Sequence, residues 1–305
     1  MIKNILRIKL VSILLAIFLQ NSLYAQSISF TFDDGTLSDR PGYSFEKWNA
    51  MLLNKLKNNN VKTTLFVTGK GKDSERGKHL LESWNNDGHS IANHTYTHPN
   101  YNSPKVTFEQ FKNELLKNDS LIKQYSNYQK YFRFPYLKEG NTKEKIEAFR
   151  NFLKEQNYKN GYVTIDASDW YIDSRLIKKL RTDPTFDLNK YKEYYLEHLW
   201  NCAQFYENLA FELTGRHIKH NLLLHHNLAA ALFMDDLIQL FKQKGWKVIS
   251  TQEAYTDPIY NTTTNNAGES LIYALAKDSK KYEGKLRYPA EDSRYEKKKM
   301  DDLGL

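Results

Sequence analysis

Residues 27–35 read SISFTFDDG, a run that alternates small polar with apolar side chains and ends in two adjacent carboxylates and a glycine. The alternation has the period of two that is typical of a β-strand. Because neighbouring side chains on a strand point to opposite faces, Asp33 and Asp34 are predicted to face different ways. The pair therefore permits two separate chemical roles, or no role beyond a turn of the chain.

Further strand-like runs follow along the chain, with helical patterns between them. The runs are TTLFVT (63–68), HSIANH (89–94), YFRFP (131–135), GYVTID (161–166), NLLLHH (221–226) and WKVIS (246–250). Strict alternation of strand and helix signals favours a parallel α/β sheet, open or closed. Seven strand candidates predict an α/β fold of the incomplete or distorted barrel type.

The first 25 residues have the composition of a secretory signal peptide. They begin with basic side chains, continue with an uncharged apolar run (10–19) and end in Ala25 ahead of Gln26. The run is too short for a membrane span of about 20 apolar residues. We expect export to the periplasm or the medium and no stable membrane span after cleavage. An uncleaved anchor stays open, because Leu23 is large for its place before the cut.

The remaining chain is predicted to form one large domain and a tail. Residues 26–257 carry the strand and helix alternation of the barrel, interrupted at about 171–220 by a region with few strand signals that is interpreted as a helical insertion. Residues 258–305 form a polar C-terminal extension. Its end is expected to pack loosely, as terminal segments often do.

Charge and cysteine content exclude several classes of protein. The net charge of +8 arises from 44 basic and 36 acidic residues, and three of the basic ones lie in the predicted signal. This excess is too small to indicate a nucleic-acid partner, although it suits an anionic wall polymer. Cys202 is the only cysteine, which excludes a disulfide framework.

His94 and His98 stand at the end of the third strand candidate, in an H-x-x-x-H spacing that brings two imidazoles together. With a carboxylate from the Asp33–Asp34 pair they form a three-ligand set for zinc or a similar divalent ion, with positions left for water and substrate. Each signal is weak alone, because such a histidine pair more often lies on a surface. Of the other histidines, His89 is assigned to packing, and four are assigned to helices or to the entry of a strand, without chemistry: His79, His198, His217 and His220.

Three further motifs follow at strand ends in chain order. They are YFRFPY with Arg133, Pro135 and Tyr136, DASDW with Asp166, Asp169 and Trp170, and LLLHH with His225 and His226. Together with the earlier residues, this set resembles the polysaccharide deacetylases of carbohydrate esterase family four. That family's signature runs T-F-D-D-G, H-[ST]-x-x-H, R-x-P-Y, D-x-x-D-W and L-x-L-H, and all five motifs match in order across residues 31–225. The resemblance implies a distorted (β/α)7 barrel, with the helical insertion before the last catalytic strand.

The resemblance also implies which residues bind the metal and which residue acts as the base. Asp34 matches a metal ligand, together with His94 and His98. Asp33 matches the general base. Arg133 matches the residue that holds this base, and its cation is expected to keep the carboxyl ionised.

The third motif and two later residues are implied to bind substrate. Tyr136 matches the position whose backbone N–H receives the developing oxyanion, and Pro135 fixes that turn. Trp170 and Leu224 are expected to line the acyl pocket.

The acid side of the site is implied by the last two motifs. His225 matches the general acid, and Asp169 is the carboxylate expected to orient it, with Asp166 as an open alternative. His226 departs from the family pattern, which more often has Asp or Asn there. The L-x-L-H spacing selects His225 over His226.

The function implied is that of an exported, metal-dependent hydrolase that removes N-acetyl groups from amino sugars of a polysaccharide of the peptidoglycan, chitin or poly-N-acetylglucosamine type. Its expected cofactor is a divalent ion, zinc first, and its expected partner is the N-acetylated glycan. Two alternatives are an O-acetyl esterase of the acetylxylan type and a non-catalytic glycan-binding barrel. The presence of both a base and an acid argues against the non-catalytic alternative.

Overall fold

In the computed structural model, the described residues are 26–282, 284, 286, 290 and 292–305. The signal peptide predicted for residues 1–25 lies outside these ranges. One sheet contains seven strands within the described chain. They are β1 (Ser27–Asp34), β2 (Thr64–Val67), β3 (Ser90–Asn93), β4 (Tyr128–Phe132), β5 (Lys159–Asn160), β6 (Lys219–His225) and β7 (Lys247–Val248).

The sheet is parallel throughout and runs in the order β5-β4-β3-β2-β1-β6, with β7 paired to the beginning of β1. After β5 the chain returns to the opposite edge, where Ile165 forms a parallel bridge with Leu222 of β6. This bridge joins the two edges of the curled sheet. The result is a distorted barrel, with regular strand pairing along the sheet and only this bridge where its edges meet. The predicted distorted (β/α)7 barrel is confirmed.

Helices cover the sheet, and most of them begin after a residue whose side chain caps the helix. The helices of the described chain are α1 (Phe45–Asn58), α2 (Glu75–Asn86), α3 (Phe108–Ile122), α4 (Lys143–Glu155), α5 (Asp169–Thr182), α6 (Leu188–Thr214), α7 (Leu228–Gln243), α8 (Thr251–Ala254), α9 (Leu271–Ser279) and α10 (Arg294–Asp302), with 3₁₀ turns at Pro135–Leu137 and Pro258–Asn261. Thr107 and Gln110 form a capping box at the start of α3. No helix in the described ranges is both long enough and apolar enough to cross a membrane.

Strand β1 sorts its side chains by face. Phe30 packs edge-to-face on Phe241 of α7, and Phe32 does the same on Trp84 of α2. The alternate side chains include Thr31, whose hydroxyl bonds within the barrel to the carbonyl of Leu222. Burial of each phenylalanine contributes roughly 1.5–3 kcal/mol to folding. The alternation read from the sequence thus places the apolar face of β1 under the helices.

The insertion before β6 consists of α5 and α6, and α6 packs on α7 and α9. The C-terminal segment joins this layer, because Ile272 of α9 is fully buried, Met300 of α10 is likewise buried, and Leu305 is only 5% exposed. The expectation of a loosely packed end is therefore wrong. The few apolar side chains of the C-terminal segment lie on one face of its two short helices. That face packs against the domain although the segment is polar overall.

Candidate active site

Side chains from several strand ends meet at the carboxyl edge of the barrel, where parallel α/β folds place their sites. They surround a cavity of ≈ 290 Å³. The cavity is lined by Asp33, Asp34, His94, His98, Tyr136, Leu137, Asp166, Ala167, Trp170, Leu223 and His225. Arg133 and Asp169 lie directly behind this lining. The strand-end residues predicted from five separate motifs are thus brought together in one place.

Asp34, His94 and His98 form a set of three metal donors. One ligand atom from each lies within 4.8 Å of the others, and Asp34 Oδ1 is 3.5 Å from His98 Nε2 and 3.8 Å from His94 Nε2. The Nδ1–H of His94 donates to the carbonyl of Arg133 at 2.8 Å, which leaves the Nε2 lone pair directed at the other donors. Two imidazoles and one carboxylate fit a divalent ion of the zinc type with open coordination positions.

The electrostatics of these donors favour metal binding. Burial lowers the pKa of both His94 and His98 to about 4, so both rings are neutral and able to ligate at neutral pH. Burial opposes ionisation of Asp34, but the neighbouring positive charges, that of His225 first, together outweigh burial and hold the pKa of that carboxyl below its usual range. All three groups are therefore in the protonation state that a metal requires.

The expectation that Asp33 and Asp34 face opposite ways is not met, since both line the same cavity. The cause is the backbone of Asp34, whose φ of 77° leaves the strand conformation and turns its side chain inward. Such a φ is rare for a residue with a Cβ and costs on the order of 1–3 kcal/mol. Four other residues of the site share this conformation: Thr95, His98, Tyr136 and Leu137.

A buried amide pair, Asn93 and Asn118, holds the loop that carries the two histidines. The side-chain oxygen of Asn93 accepts from the backbone N–H of Thr95 at 2.9 Å and from the amide of Asn118 at 3.1 Å. The Asn118 amide also donates to the carbonyl of Val67 at 2.7 Å. Sequence analysis missed both asparagines. The available signal was Asn118, a polar side chain on the otherwise apolar face of α3.

Asp33 forms a buried ion pair with Arg133. The guanidinium Nη1 donates to Asp33 Oδ1 at 2.5 Å and to the hydroxyl of Thr31 at 2.9 Å, and its Nε donates to the carbonyl of Gly161 at 2.9 Å. The guanidinium also stacks 3.8 Å from the ring centroid of Phe66. Burial raises the pKa of Asp33, and the charge of Arg133 opposes that rise. The cation therefore limits the effect of burial rather than lowering the pKa below its usual value.

His225 lies opposite Asp33 in the register of β1 and β6. Its Nδ1–H donates to Asp169 Oδ1 at 2.7 Å, and the second carboxylate oxygen accepts from the backbone N–H of His225 at 2.8 Å. Burial disfavours the imidazolium, but the carboxylates around the ring, Asp169 first and then Asp34 and Asp33, together outweigh burial and raise the pKa of His225 to about 10. The ring is therefore protonated at neutral pH. Asp166 instead accepts from the backbone N–H of Ala167 and lines the cavity.

His226 points away from the cavity, as period two requires. Its Nε2 lies 3.0 Å from the side-chain oxygen of Asn49, and its ring centroid lies 4.4 Å from that of Trp48. Burial lowers the pKa of His226 to about 3. The ring is a neutral core side chain, and of the two adjacent histidines only His225 faces the proposed metal donors.

Leu224 was expected in the acyl pocket, and the structure contradicts that prediction. Leu224 is fully buried in the main hydrophobic core, whereas Leu223 lines the cavity. Because β6 alternates, Leu223 shares the face of His225. The same alternation, counted back from His225, identifies Leu223 from sequence.

The rim of the cavity comes from the turn 135–137 and from the start of α5. Tyr136 is 46% exposed, and its ring centroid lies 4.5 Å from that of His98. Pro135 opens the turn and is buried behind it, outside the cavity lining. The indole N–H of Trp170 donates to the carbonyl of Ala290 at 2.8 Å, so the C-terminal segment holds one wall.

Comparison with known proteins agrees with this geometry. Residues 20–155 match the sequence profile of the family described as Polysaccharide deacetylase. A peptidoglycan-N-acetylglucosamine deacetylase of Bacillus cereus is 32% identical over 144 residues, which are 47% of this chain and 46% of that protein. The chain thus spans about half the length of the curated relatives it matches.

Solved structures share the fold over a longer range. A chitin deacetylase of the fungus Colletotrichum lindemuthianum has a TM-score of 0.52 at 18% identity and covers 76% of this chain and 88% of its own. A polysaccharide deacetylase of Bacillus cereus also has a TM-score of 0.52, at 21% identity, with 73% and 90% covered. At such identities the likeness shows the fold, which extends beyond residue 155 to the strand that carries His225.

Proposed function

We propose that this protein is a metal-dependent hydrolase that removes N-acetyl groups from amino sugars of a polysaccharide, because residues 20–155 match the sequence profile of the polysaccharide deacetylase family. One observation carries the proposal. A single cavity contains a three-donor metal set, a carboxylate paired with a buried arginine and a protonated histidine held by a second carboxylate. Amide hydrolysis needs these three functions: an electrophilic centre, a base and an acid.

Asp34, His94 and His98 would hold the ion, for which zinc suits the two imidazoles and one carboxylate. When bound, a divalent ion supplies Lewis-acid chemistry, which polarises the acetyl carbonyl and acidifies a water. The chain's own residues supply the proton transfers and the positioning of the substrate.

Asp33 is the proposed base. Arg133 binds one of its oxygens, while the other lies 3.7 Å from His94 Nε2, on the side of the metal donors where an attacking water would lose its proton. His225 is the proposed acid that returns a proton to the leaving amine, and Asp169 keeps its ring oriented and charged. General acid and base groups each contribute typically ~10²–10⁴-fold.

The walls of the cavity suit an acetyl group. Leu137, Ala167, Leu223 and Trp170 give the cavity an apolar lining in addition to its carboxylates and imidazoles. We assign the oxyanion contact to the backbone N–H of Tyr136, on the exposed side of the turn. The Bacillus cereus relative at 32% identity is a peptidoglycan-N-acetylglucosamine deacetylase, which supports an N-acetylated glycan as the substrate.

The test is acetate release by the purified protein, stripped of metal and then reloaded with zinc. N-acetylglucosamine oligomers and peptidoglycan are compared with acetylated xylan. Zinc-dependent release from the first two supports the proposal, whereas release from xylan alone assigns an O-acetyl esterase. No release from any of the three by the loaded protein rejects catalysis and leaves a glycan-binding barrel.

We propose in addition that the enzyme acts outside the cytoplasm. The basic start, apolar run and small residue Ala25 within residues 1–25 support export. A wall polymer as substrate is consistent with that location.

A further inference from the structure

The position of the proposed acid depends on the first residue of a helix. Asp169, which binds both the ring and the backbone of His225, opens α5. It is fully buried, and a third bond, from the amide of Asn227 at 3.1 Å, ties it to the start of α7. Any shift of the N-terminus of α5 would therefore move His225 against the rest of the cavity.

The residue before Asp169 is held by an element far away in sequence. The side chain of Ser168 makes no capping bond to α5, but its backbone N–H donates to Nε2 of His198 at 3.0 Å. His198 lies on α6 of the helical insertion and is only 6% exposed. Because its Nε2 accepts this bond, a neutral His198 must carry its proton on Nδ1.

That proton faces a carboxylate from the C-terminal extension. Glu296 of α10 is 2% exposed, and its Oε1 lies 3.6 Å from His198 Nδ1. A carboxylate beside Nδ1 favours the tautomer with the proton there, as it does for histidines that ligate metals. Glu296 thereby selects the form of His198 that can accept from Ser168.

We propose that Glu296 and His198 are positioning residues for the catalytic acid, acting through Ser168 and Asp169 on His225. The inference rests on the proposed function of this site. It gives the C-terminal extension a part in catalysis without contact with the cavity. It also gives His198, which the sequence assigned to a helix without chemistry, a role in the orientation of the acid.

A second side-chain contact between α10 and α6 provides a matched control variant. Lys299 pairs with Glu197 of α6 at 2.7 Å, and both side chains are about half exposed. This pair binds the same two helices as Glu296 and His198 but does not reach Ser168. A Lys299→Gln variant therefore loosens the docking of α10 and leaves the buried contact in place.

The test compares Glu296→Gln, His198→Ala and Lys299→Gln in the full-length, zinc-loaded protein. We expect kcat for acetate release to fall about tenfold or more in the first two variants, with KM and zinc content nearly unchanged, because a misplaced acid slows chemistry without weakening binding. Lys299→Gln should retain the kcat of the parent protein. Addition of Glu296→Gln to Asp169→Asn should cause little further loss, because Glu296 acts on His225 only through Asp169.

A second measurement is independent of turnover. Proton NMR of the metal-free and loaded proteins should show the hydrogen-bonded Nδ1 proton of His225 in the parent and in Lys299→Gln, and its loss or upfield shift in Glu296→Gln. If His198→Ala does not fold, the isosteric Glu296→Gln decides. If the parent protein deacetylates no glycan, the proposed function fails, and the His225 resonance still tests this contact.

The inference is overturned by any of three results. The first is a folded Glu296→Gln variant with parental kcat and an unchanged His225 resonance. The second is an equal loss of kcat in Lys299→Gln, which would assign the effect to helix docking. The third is a double variant in which the fold losses of kcat from Glu296→Gln and from Asp169→Asn multiply in full. That result would mean that the two residues act independently.

Discussion

Asp169 binds His225 twice, with one carboxylate oxygen 2.7 Å from the ring Nδ1 and the other 2.8 Å from the backbone nitrogen of the same residue. The carboxylate thus fixes both the ring and the end of the strand that carries it. Because the ring proton on Nδ1 is held by Asp169, the opposite nitrogen is the one left to exchange a proton within the cavity. The proposed acid, His225, and the proposed base, Asp33, lie opposite each other on the neighbouring strands β6 and β1.

Replacement of Asp169 by Asn should move the alkaline limb of the pH–rate profile to lower pH. Asp169 contributes most among the carboxylates that raise the pKa of His225 to about 10 against the effect of burial, and an amide cannot stabilise the imidazolium in the same way. An acid works only below its pKa, so a lower pKa removes activity at lower pH. The profile of kcat measures the shift. Asp166→Asn is the control, and a shift there with none in Asp169→Asn would exchange the two carboxylates.

His98→Ala should lose both metal and activity. It removes one of three donors, and because even residues that only support ligands change metal affinity about 10–100-fold, the loss should be at least that large. Elemental analysis after dialysis against a known zinc concentration measures occupancy. The exposed His79 provides the control as His79→Ala. Full occupancy in His98→Ala would rule out the proposed ligand set.

The two adjacent aspartates should respond differently to the same substitution. Asp33→Asn keeps the shape of the side chain but cannot accept the proton, so metal stays bound and turnover falls by about 10²-fold or more. Asp34→Asn replaces an anionic ligand with a neutral one, so metal affinity falls and excess zinc restores part of the activity. Titration of both variants with zinc tests this. Rescue of Asp33→Asn alone would mean that the roles are reversed.

Arg133→Ala should move the acidic limb of the pH–rate profile to higher pH and destabilise the fold. Without the cation, the effect of burial on Asp33 meets less opposition, and the pKa of that carboxyl rises further. A base works only above its pKa, so activity is lost at higher pH than in the parent. Removal of one partner of a buried ion pair costs about 3–5 kcal/mol. Chemical unfolding and a pH–rate profile measure the two effects, and an unmoved acidic limb would contradict the assignment of Asp33.

The exported protein should begin at Gln26 or within a few residues of it. The apolar run within residues 1–25 has the length of a signal-peptide core and not of a membrane span. Intact-mass measurement of protein recovered from the periplasm or the medium gives the start. Detection of Met1 on that protein would indicate an uncleaved anchor.

Much of the site was predictable because parallel strands end at one edge of a sheet. Asp33, His94, Arg133 and His225 are far apart in sequence, yet each stands where a strand signal ends. A barrel that places all strand ends on one side brings such residues together, whatever the length of chain between them. The order of the motifs and the alternation of strands and helices were therefore enough to predict the fold and most of the cavity.

The features that could be read from the sequence are local: the period of each element, the strand ends and the chemical type of the residues at those ends. The direction and the partner of each of two similar side chains follow from the tertiary structure, because they depend on backbone torsion and on packing between distant elements. The φ of 77° turns Asp34 inward beside Asp33. The fold of α5 against β6 brings Asp169 rather than Asp166 to His225. Long-range packing alone brings Glu296 to His198, since no local pattern links residues on two helices about a hundred positions apart.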